Sequence, residues 1–403
     1  RSQFVQTNTV TSTTVQSSLT NLSDLIGTDR QTVNSSEVDD DRCTLSYLLG
    51  ASHSRNAMAG ETRRGDSERI GLAPLVAKHY NSRPDQGREG RKESRIFHMR
   101  SFNNWVKSML IKEFIKKARE NPYKAQGEFR VLDIGAGKGG DLMKWQKGDI
   151  NHLICADIAE TSLEQAKERY LDNRNRAERL GFEIFDAEFI AADCTRERLV
   201  DKYSKPNIIF DVVSCQFTFH YCFESLAQAR CMIQNISERL CKGGYFIGTT
   251  PNAYELVRRL KASDDLSFGN DVYQVSFASK DNFPLFGCKY NFQLEGVVDC
   301  PEFLVNFEMF KILAREQGLE LVNHWTFEEF YNEFRSDEGA SLLQKMNALE
   351  TYPPPPGVSL AGREDDYNHA RVVNQETGKQ LGTLSNPEWE ALTIYVAYAF
   401  IKK

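Results

Sequence analysis

The sequence predicts an α/β protein built on a doubly wound, mainly parallel sheet with antiparallel additions. Three observations lead there. From Phe129 onward, short apolar runs alternate with segments of helical period. The first run ends in a cluster of glycines, and acidic residues stand at or near the ends of three successive runs, at Asp133, Asp157 and Asp193. In order, FRVLDIG, HLICADI, EFIAAD, IIFDVVSC and YFIGTT read as five strands, apolar enough to be covered on both faces. Between them, ETSLEQAKERYLDNRNRAERL and SLAQARCMIQNISERL read as helices, the second followed by Gly243–Gly244 as its stop signal. Later runs, YQVSF, KYNFQLEGVVD, LELVNHWTF and LTIYVAYAF, read as strands that extend the sheet or add antiparallel pairs.

Composition narrows the possible functions. The 403 residues carry 50 Lys plus Arg against 56 Asp plus Glu, a formal charge of −6, with 40% hydrophobic residues. That is a globular composition, without the apolar run of about 18 residues that would cross a membrane. Net acidity argues against broad duplex binding, whose affinity comes from neutralising many phosphates. The nine cysteines are scattered and never spaced C-x-x-C, so a disulfide framework and a zinc ribbon are not expected. Neither is any other metal site, and a reducing compartment fits best.

Three segments stand apart. Residues 1–72 are rich in Ser and Thr and poor in apolar residues, which predicts a disordered arm preceding a catalytic domain over 73–403. The chain starts at Arg1 rather than Met, as expected of a fragment or processed product. Between Arg88 and Arg119, ten Lys or Arg face three Glu; this is either a solvated helix face or one side of a binding groove. The stretch 352–385, which opens with PPPPG, is expected to be an exposed loop.

The glycine cluster carries the chemistry. In VLDIGAGKGGDLMKW, Gly135, Gly137, Gly139 and Gly140 allow a tight turn and close approach of backbone to a ligand at the start of a helix. The spacing is neither the G-x-G-x-x-G dinucleotide fingerprint nor a P-loop. Asp157, about twenty residues on, stands where a carboxylate can accept from ribose hydroxyls, and Asp193 where an adenine amino group can be read. A carboxylate beside the loop would repel a pyrophosphate but suits a cofactor bearing an ammonium and a sulfonium. S-adenosyl-L-methionine therefore fits better than NAD. The fourth strand delivers Gln216, then His220 and Tyr221, to the same edge of the sheet, facing a second substrate. No N-P-P-Y motif is present, and Cys300 precedes rather than follows its proline, so the usual amine and C5-pyrimidine arrangements are missing. A small-molecule methyltransferase, or a non-catalytic cap- or RNA-binding protein on the same scaffold, remains open on these residues alone.

Six motifs in order, VAKHYN…SRIFHMRSFNNWVKSMLI, VLDIGAGKGGDLMKW, CQFTFHYCFES, GGYFIGTTPN, FPLFGCKYNFQLEGVVDCPEFLV and LTIYVAYAF, make the chain resemble mRNA cap guanine-N7 methyltransferases over most of 73–403. One departure is Ala136, where the family's loop usually has Cys. The resemblance implies a class I, Rossmann-like S-adenosylmethionine-dependent fold that methylates N7 of the cap guanosine of GpppN-RNA. It implies that Lys107, Gly135, Asp157, Asp193, Gln216 and Tyr221 bind the cofactor. It also implies that Asn103, Asn104, Lys138, Lys144, Arg169, His220, Glu302 and Tyr395 surround the cap, with Glu302, His220 and Tyr395 nearest the chemistry. The expected partner is 5′-capped pre-mRNA, with capping or transcription machinery meeting the N-terminal arm and no membrane or metal, and the expected location is the nucleus.

Overall fold

The computed structural model describes residues 71–82, 90, 93–124 and 127–403. The expected disordered arm therefore lies outside the described residues except for Gly71 and Leu72, and so do Arg88, Arg91 and Lys92 of the basic segment. Two helices, α1 (Ala73–Asn81) and α2 (Phe97–Arg119), precede β1 (Arg130–Ile134), α3 (Leu142–Lys147) and β2 (His152–Asp157). Then come α4 (Glu160–Arg179), β3 (Asp186–Ala191), β4 (Phe210–Gln216), α5 (Leu226–Ser237) and β5 (Leu240–Pro251). All five strands expected from the apolar runs are present.

After α6 (Ala253–Ala262), four strands form a separate antiparallel sheet: β6 (Ser267–Gly269), β7 (Tyr273–Phe277), β8 (Lys289–Leu294) and β9 (Val298–Phe303). The chain then returns through α7 (Phe307–Glu316), β10 (Leu319–Thr326), α8 (Phe327–Phe334) and α9 (Asp337–Met346). The last elements are β11 (Glu350–Tyr352), α10 (Asn368–Thr377), β12 (Leu381–Thr383), α11 (Asn386–Leu392) and β13 (Tyr395–Lys402).

The main sheet has the order β10-β13-β5-β4-β1-β2-β3, with β1 to β5 parallel and β13 antiparallel between β5 and β10. Side chains alternate between two apolar layers. Val131, Leu153, Val212 and Ile247 pack with α2 in one core, while Leu132, Ile154, Val213 and Phe246 pack with α5 and α7 in the other. Burial of both faces is why β4 is buried at every position, whereas β8 in the smaller sheet alternates exposed and buried. The strand order reverses between β1 and β4, and in an open sheet that switch point is where a crevice forms at the carboxyl ends.

Two expectations are corrected, and one open alternative is decided. The helix α5 ends at Ser237, before Gly243–Gly244; those glycines lie inside β5, at the register shift opposite Phe210 and Val212. Asn121 and the Asp211 carbonyl crowd them, and a side chain at Gly244 would sit 2.9 Å from that carbonyl. The stretch 352–385 is an exposed loop only in its first part, around residues 353–363. It contains α10 and β12 and closes on its own small core of Tyr352, Tyr367, Ala370, Val373 and Leu381, leaving Val358 exposed beyond the prolines. The basic segment is a helix that does both things: Lys112, Lys116 and Arg119 face solvent, whereas Arg100 and Lys107 turn towards the crevice.

This subdomain is tied to α2 by a buried charge cluster. Glu388, fully buried at the start of α11, accepts from the Met99 N–H and from Ser385, and lies 3.5 Å from Arg95. Arg95 also reaches Asp366 at 3.3 Å. Removing Glu388 leaves the buried Met99 N–H without its acceptor and Arg95 with Asp366 alone, so E388A is expected to destabilise the protein by about 3 kcal/mol. The exposed Lys112–Glu338 pair should behave differently, with K112A costing about 1 kcal/mol or less. Urea unfolding of the two variants checks the contrast, and equal losses would contradict it.

Candidate active site

A cavity of about 430 Å³ opens at the switch point, walled by α1, the glycine turn and the carboxyl ends of β1 to β4. The turn is tight for a local reason. Gly135 has φ +74°, and a Cβ there would meet the Thr218 hydroxyl at 2.2 Å. Gly137 is the reverse case, with open space where its Cβ would stand. The loop is held by Asp157, whose carboxylate accepts from the Gly137 N–H at 2.7 Å and the Ala159 N–H at 2.8 Å. Burial raises the Asp157 pKa, and those backbone donors oppose the rise.

Farther round the wall, Asp193 accepts from the Thr195 N–H and hydroxyl at 3.0 and 2.6 Å. Gln216 is held by Ser214 and Thr249. Phe217, next in the chain, has φ +60°, unusual for a bulky residue, and its N–H is received by Thr249. Lys107, Gly135, Lys138, Asp157, Asp193, Gln216 and Tyr221 all line this cavity.

Asp133 does not. The pleat turns its side chain to the opposite face, where it accepts from Trp145 Nε1 at 3.1 Å. Three acids at strand ends were expected to face the cofactor, and the structure brings two there. Asp133 instead joins a buried cluster with Lys107, Asp141 and Lys144. Burial and then the Asp141 carboxylate push the Asp133 pKa up to about 7. Burial would raise Asp141 as well, but Lys107 and Lys144 more than offset it and hold that carboxyl well below the usual range. Lys144 Nζ lies 2.6 Å from Asp141, 3.0 Å from the Gly140 carbonyl and 3.2 Å from Asn104 Oδ1. Its N–H groups are engaged by these three acceptors. Arg169 donates to the Lys138 carbonyl at 2.9 Å, backing the loop from α4. Asn103 keeps a buried Oδ1 with no hydrogen-bond partner.

A second cluster adjoins the cavity through a row of hydroxyls and a thiol. Tyr80 of α1 and Tyr221 are 3.2 Å apart, and Tyr221 is 3.3 Å from Cys300 Sγ on β9. Two residues on from Cys300, Glu302 is buried with Oε1 3.3 Å from His220 Nε2, while Tyr290 donates to Oε2 at 2.6 Å. The His220–Glu302 approach has ion-pair distance without hydrogen-bond geometry, so both ring nitrogens of a 2%-exposed histidine lack a hydrogen-bond partner. Tyr395, at the start of β13, packs edge-on against Phe217 at 5.1 Å. Burial, then the Glu302 carboxylate, raises its pKa. Tyr80, Thr218 and Tyr290 had not been singled out, and Cys300 only for its place before Pro301; the quoted motifs carry all four, but nothing local marks which side chain points inward.

The residues present suit the cofactor. The wall offers acceptors at Asp157, Asp193 and Gln216 for hydroxyl and amino donors, and the space over Gly137 is free for a ligand. Among the described residues no group of His, Cys, Asp or Glu could hold a metal, and the eight described cysteines are free thiols.

A seven-stranded sheet with one antiparallel strand, a glycine turn at its switch point and acids on the following strands defines a class I S-adenosylmethionine-dependent methyltransferase. Comparison with known proteins gives the particular family. Residues 63–403 match the model of the mRNA (guanine-N(7))-methyltransferase domain. An mRNA cap guanine-N(7) methyltransferase of Drosophila melanogaster is 49% identical over 336 residues, 81% of this chain and 77% of the relative. Its counterpart from Caenorhabditis briggsae is 41% identical, covering 82% and 87%, and one from Oryza sativa subsp. japonica 38% identical, covering 84% of each. The chain belongs to the mRNA (guanine-N7)-methyltransferase family, and its cofactor is S-adenosyl-L-methionine.

The buried acid pair generates a pH prediction. Asp133, ordinarily near 3.8, titrates near 7 when folded, so folding takes up a proton between these values. The stability it contributes is complete below about pH 4 and is lost as pH rises through 7. D133N cannot ionise, so relative to wild type it should gain about 3 kcal/mol between pH 5 and pH 8. Urea unfolding at both pH values measures this, and a deficit independent of pH would refute the assignment.

Proposed function

We propose that the two clusters are the donor and acceptor halves of one reaction centre, which methylates N7 of the 5′ cap guanosine of GpppN-RNA in the nucleus, giving m7GpppN-RNA and S-adenosylhomocysteine. The observation that carries the reading is Glu302: a carboxylate 4% exposed, beside an unpartnered histidine, one hydroxyl row from the cofactor cavity. Guanine presents two donors on one edge, N1–H and N2–H, which such a carboxylate accepts.

S-adenosylmethionine supplies an electrophilic methyl group on a positively charged sulfur. Asp157 would accept from its ribose hydroxyls and Asp193 would read its adenine, while Lys107, Gly135, Gln216 and Tyr221 would complete that side. Guanine N7 carries a lone pair and no proton, so no residue has to act as a general base. What the protein contributes is alignment, which can lower a barrier by about 7–11 kcal/mol when two reactants are well oriented. The methylated purine becomes cationic as the bond forms, and Glu302 stabilises that developing charge through N1–H and N2–H. His220 and Tyr395 pack and orient the base, with Asn103 and Asn104 beside it. Lys138, backed by Arg169, meets the triphosphate. Lys144 holds Asp141 and Asn104 in place instead of touching phosphate.

Incubating the protein with GpppA-RNA and labelled cofactor, then digesting to dinucleotide, should yield m7GpppA. E302A should abolish most turnover while S-adenosylhomocysteine still binds; a single-turnover rate within a few-fold of wild type would show that Glu302 does not receive the guanine. For Lys138 the readout is salt. K138A should reduce the slope of log affinity for capped RNA against log salt by about 0.7, the contribution of one phosphate on a single strand, and an unchanged slope removes it from the triphosphate site.

A further inference from the structure

We propose that Tyr290 is a positioning residue for guanine recognition, fixing the plane of the Glu302 carboxylate so that it discriminates guanine from other cap bases. The inference rests on the reading of Glu302 as the guanine acceptor and adds a second residue to it. Tyr290 stands directly opposite Glu302 in the β8–β9 ladder. Its hydroxyl donates to Oε2 at 2.6 Å, and it is only 1% exposed. The ring stacks on Phe277 with centroids 5.3 Å apart and planes 27° from parallel, but the hydrogen bond to Glu302 is made by the hydroxyl and not by this stack. Burial and then the Glu302 carboxylate keep the phenol protonated, which preserves it as a donor.

With Oε2 held in this way, Oε1 faces His220 at 3.3 Å, and the hydrogen bond restrains rotation of the carboxylate about its terminal bond. Each oxygen keeps lone pairs for a substrate donor. A carboxylate locked in one plane meets N1–H and N2–H together, whereas one free to rotate meets either singly. An inosine cap, which lacks the N2 amino group, should therefore be a poor substrate for the intact pair. It should be a relatively better one once the lock is removed. A hydrogen bond to a charged group is worth enough to expect an effect of about 10- to 100-fold.

The test compares GpppA-RNA with IpppA-RNA for wild type, Y290F, E302Q and F277L. Y290F should raise KM for GpppA-RNA about 10-fold or more, leave kcat within a few-fold, and bring the GpppA to IpppA preference towards one. S-adenosylhomocysteine affinity should not change. F277L loosens the packing of the ring but keeps the hydroxyl, and should retain the preference. If E302Q has lost the preference while Y290F keeps it, Tyr290 is a packing residue and the proposal fails. If E302Q keeps it, the reading of Glu302 fails and this inference falls with it. Loss of the preference in F277L as well as Y290F, or loss of S-adenosylhomocysteine binding in Y290F, would also overturn the proposal by showing a packing role.

Discussion

The Asp157 carboxylate, accepting the Gly137 and Ala159 N–H groups, is the contact on which the rest of the centre depends. It joins the end of β2 to the turn after β1 and so fixes the path of the glycines across the switch point. A turn of this kind leaves backbone donors without helical partners, and a buried donor left unpaired costs about 1–3 kcal/mol. One carboxylate satisfies a donor of the turn, at Gly137, and one at the start of α4, at Ala159, and remains on the cavity wall. The closeness of Gly135 to Thr218 then brings the chain after β4 against the turn, which sets Phe217 in its left-handed conformation and carries Tyr221 to the cavity.

The cluster around Glu302 and its junction with the cavity are assembled differently. Their tyrosines come from four separate elements: Tyr80 from α1 and Tyr221 from the turn after β4 at the cavity wall, Tyr290 from β8 and Tyr395 from β13 beside Glu302. Burial raises the pKa of all four hydroxyls, so each enters the site as a neutral group able to donate. Around Glu302 this makes a ring of polar but uncharged neighbours, with His220 the one exception that can carry charge. Such surroundings leave the carboxylate as the main local charge, which suits a substrate that becomes positive during the reaction.

The charge distribution also resolves the ambiguity of the basic α2 segment. Its outer lysines are solvated, but Lys107 is drawn into a buried network with Asp141, Lys144 and Asp133. In that network Lys144 does not act as a surface cation. The helix residues behind the site and the loop in front of it are held by the same ion pairs. The subdomain of β11, α10 and β12 is anchored to the same helix through Arg95 and Glu388.

The sequence by itself determined the parallel sheet, because strands buried on both faces must be apolar throughout, and the glycine turn, because only glycine tolerates the approach of Thr218. It also showed that Asp157 and Asp193 follow strands on the ligand edge. The tertiary structure alone decided which acids face the cavity: Asp133 lies in an equally apolar strand, and only the pleat direction turns it to Trp145. The same holds for the Gly243–Gly244 pair, which reads as a helix stop until the register of β5 against β4 places it inside a strand. Residues 352–385 read as loop because their small core is made of five apolar side chains spread over thirty residues, below any local period. Glu302 and Tyr395 were recognisable only through resemblance, since their common site forms when the second sheet and the last strand fold back on the first. Tyr290 lies beyond local inference for the same reason: its partner is set by strand register, a relation between distant segments that spacing along the chain does not encode.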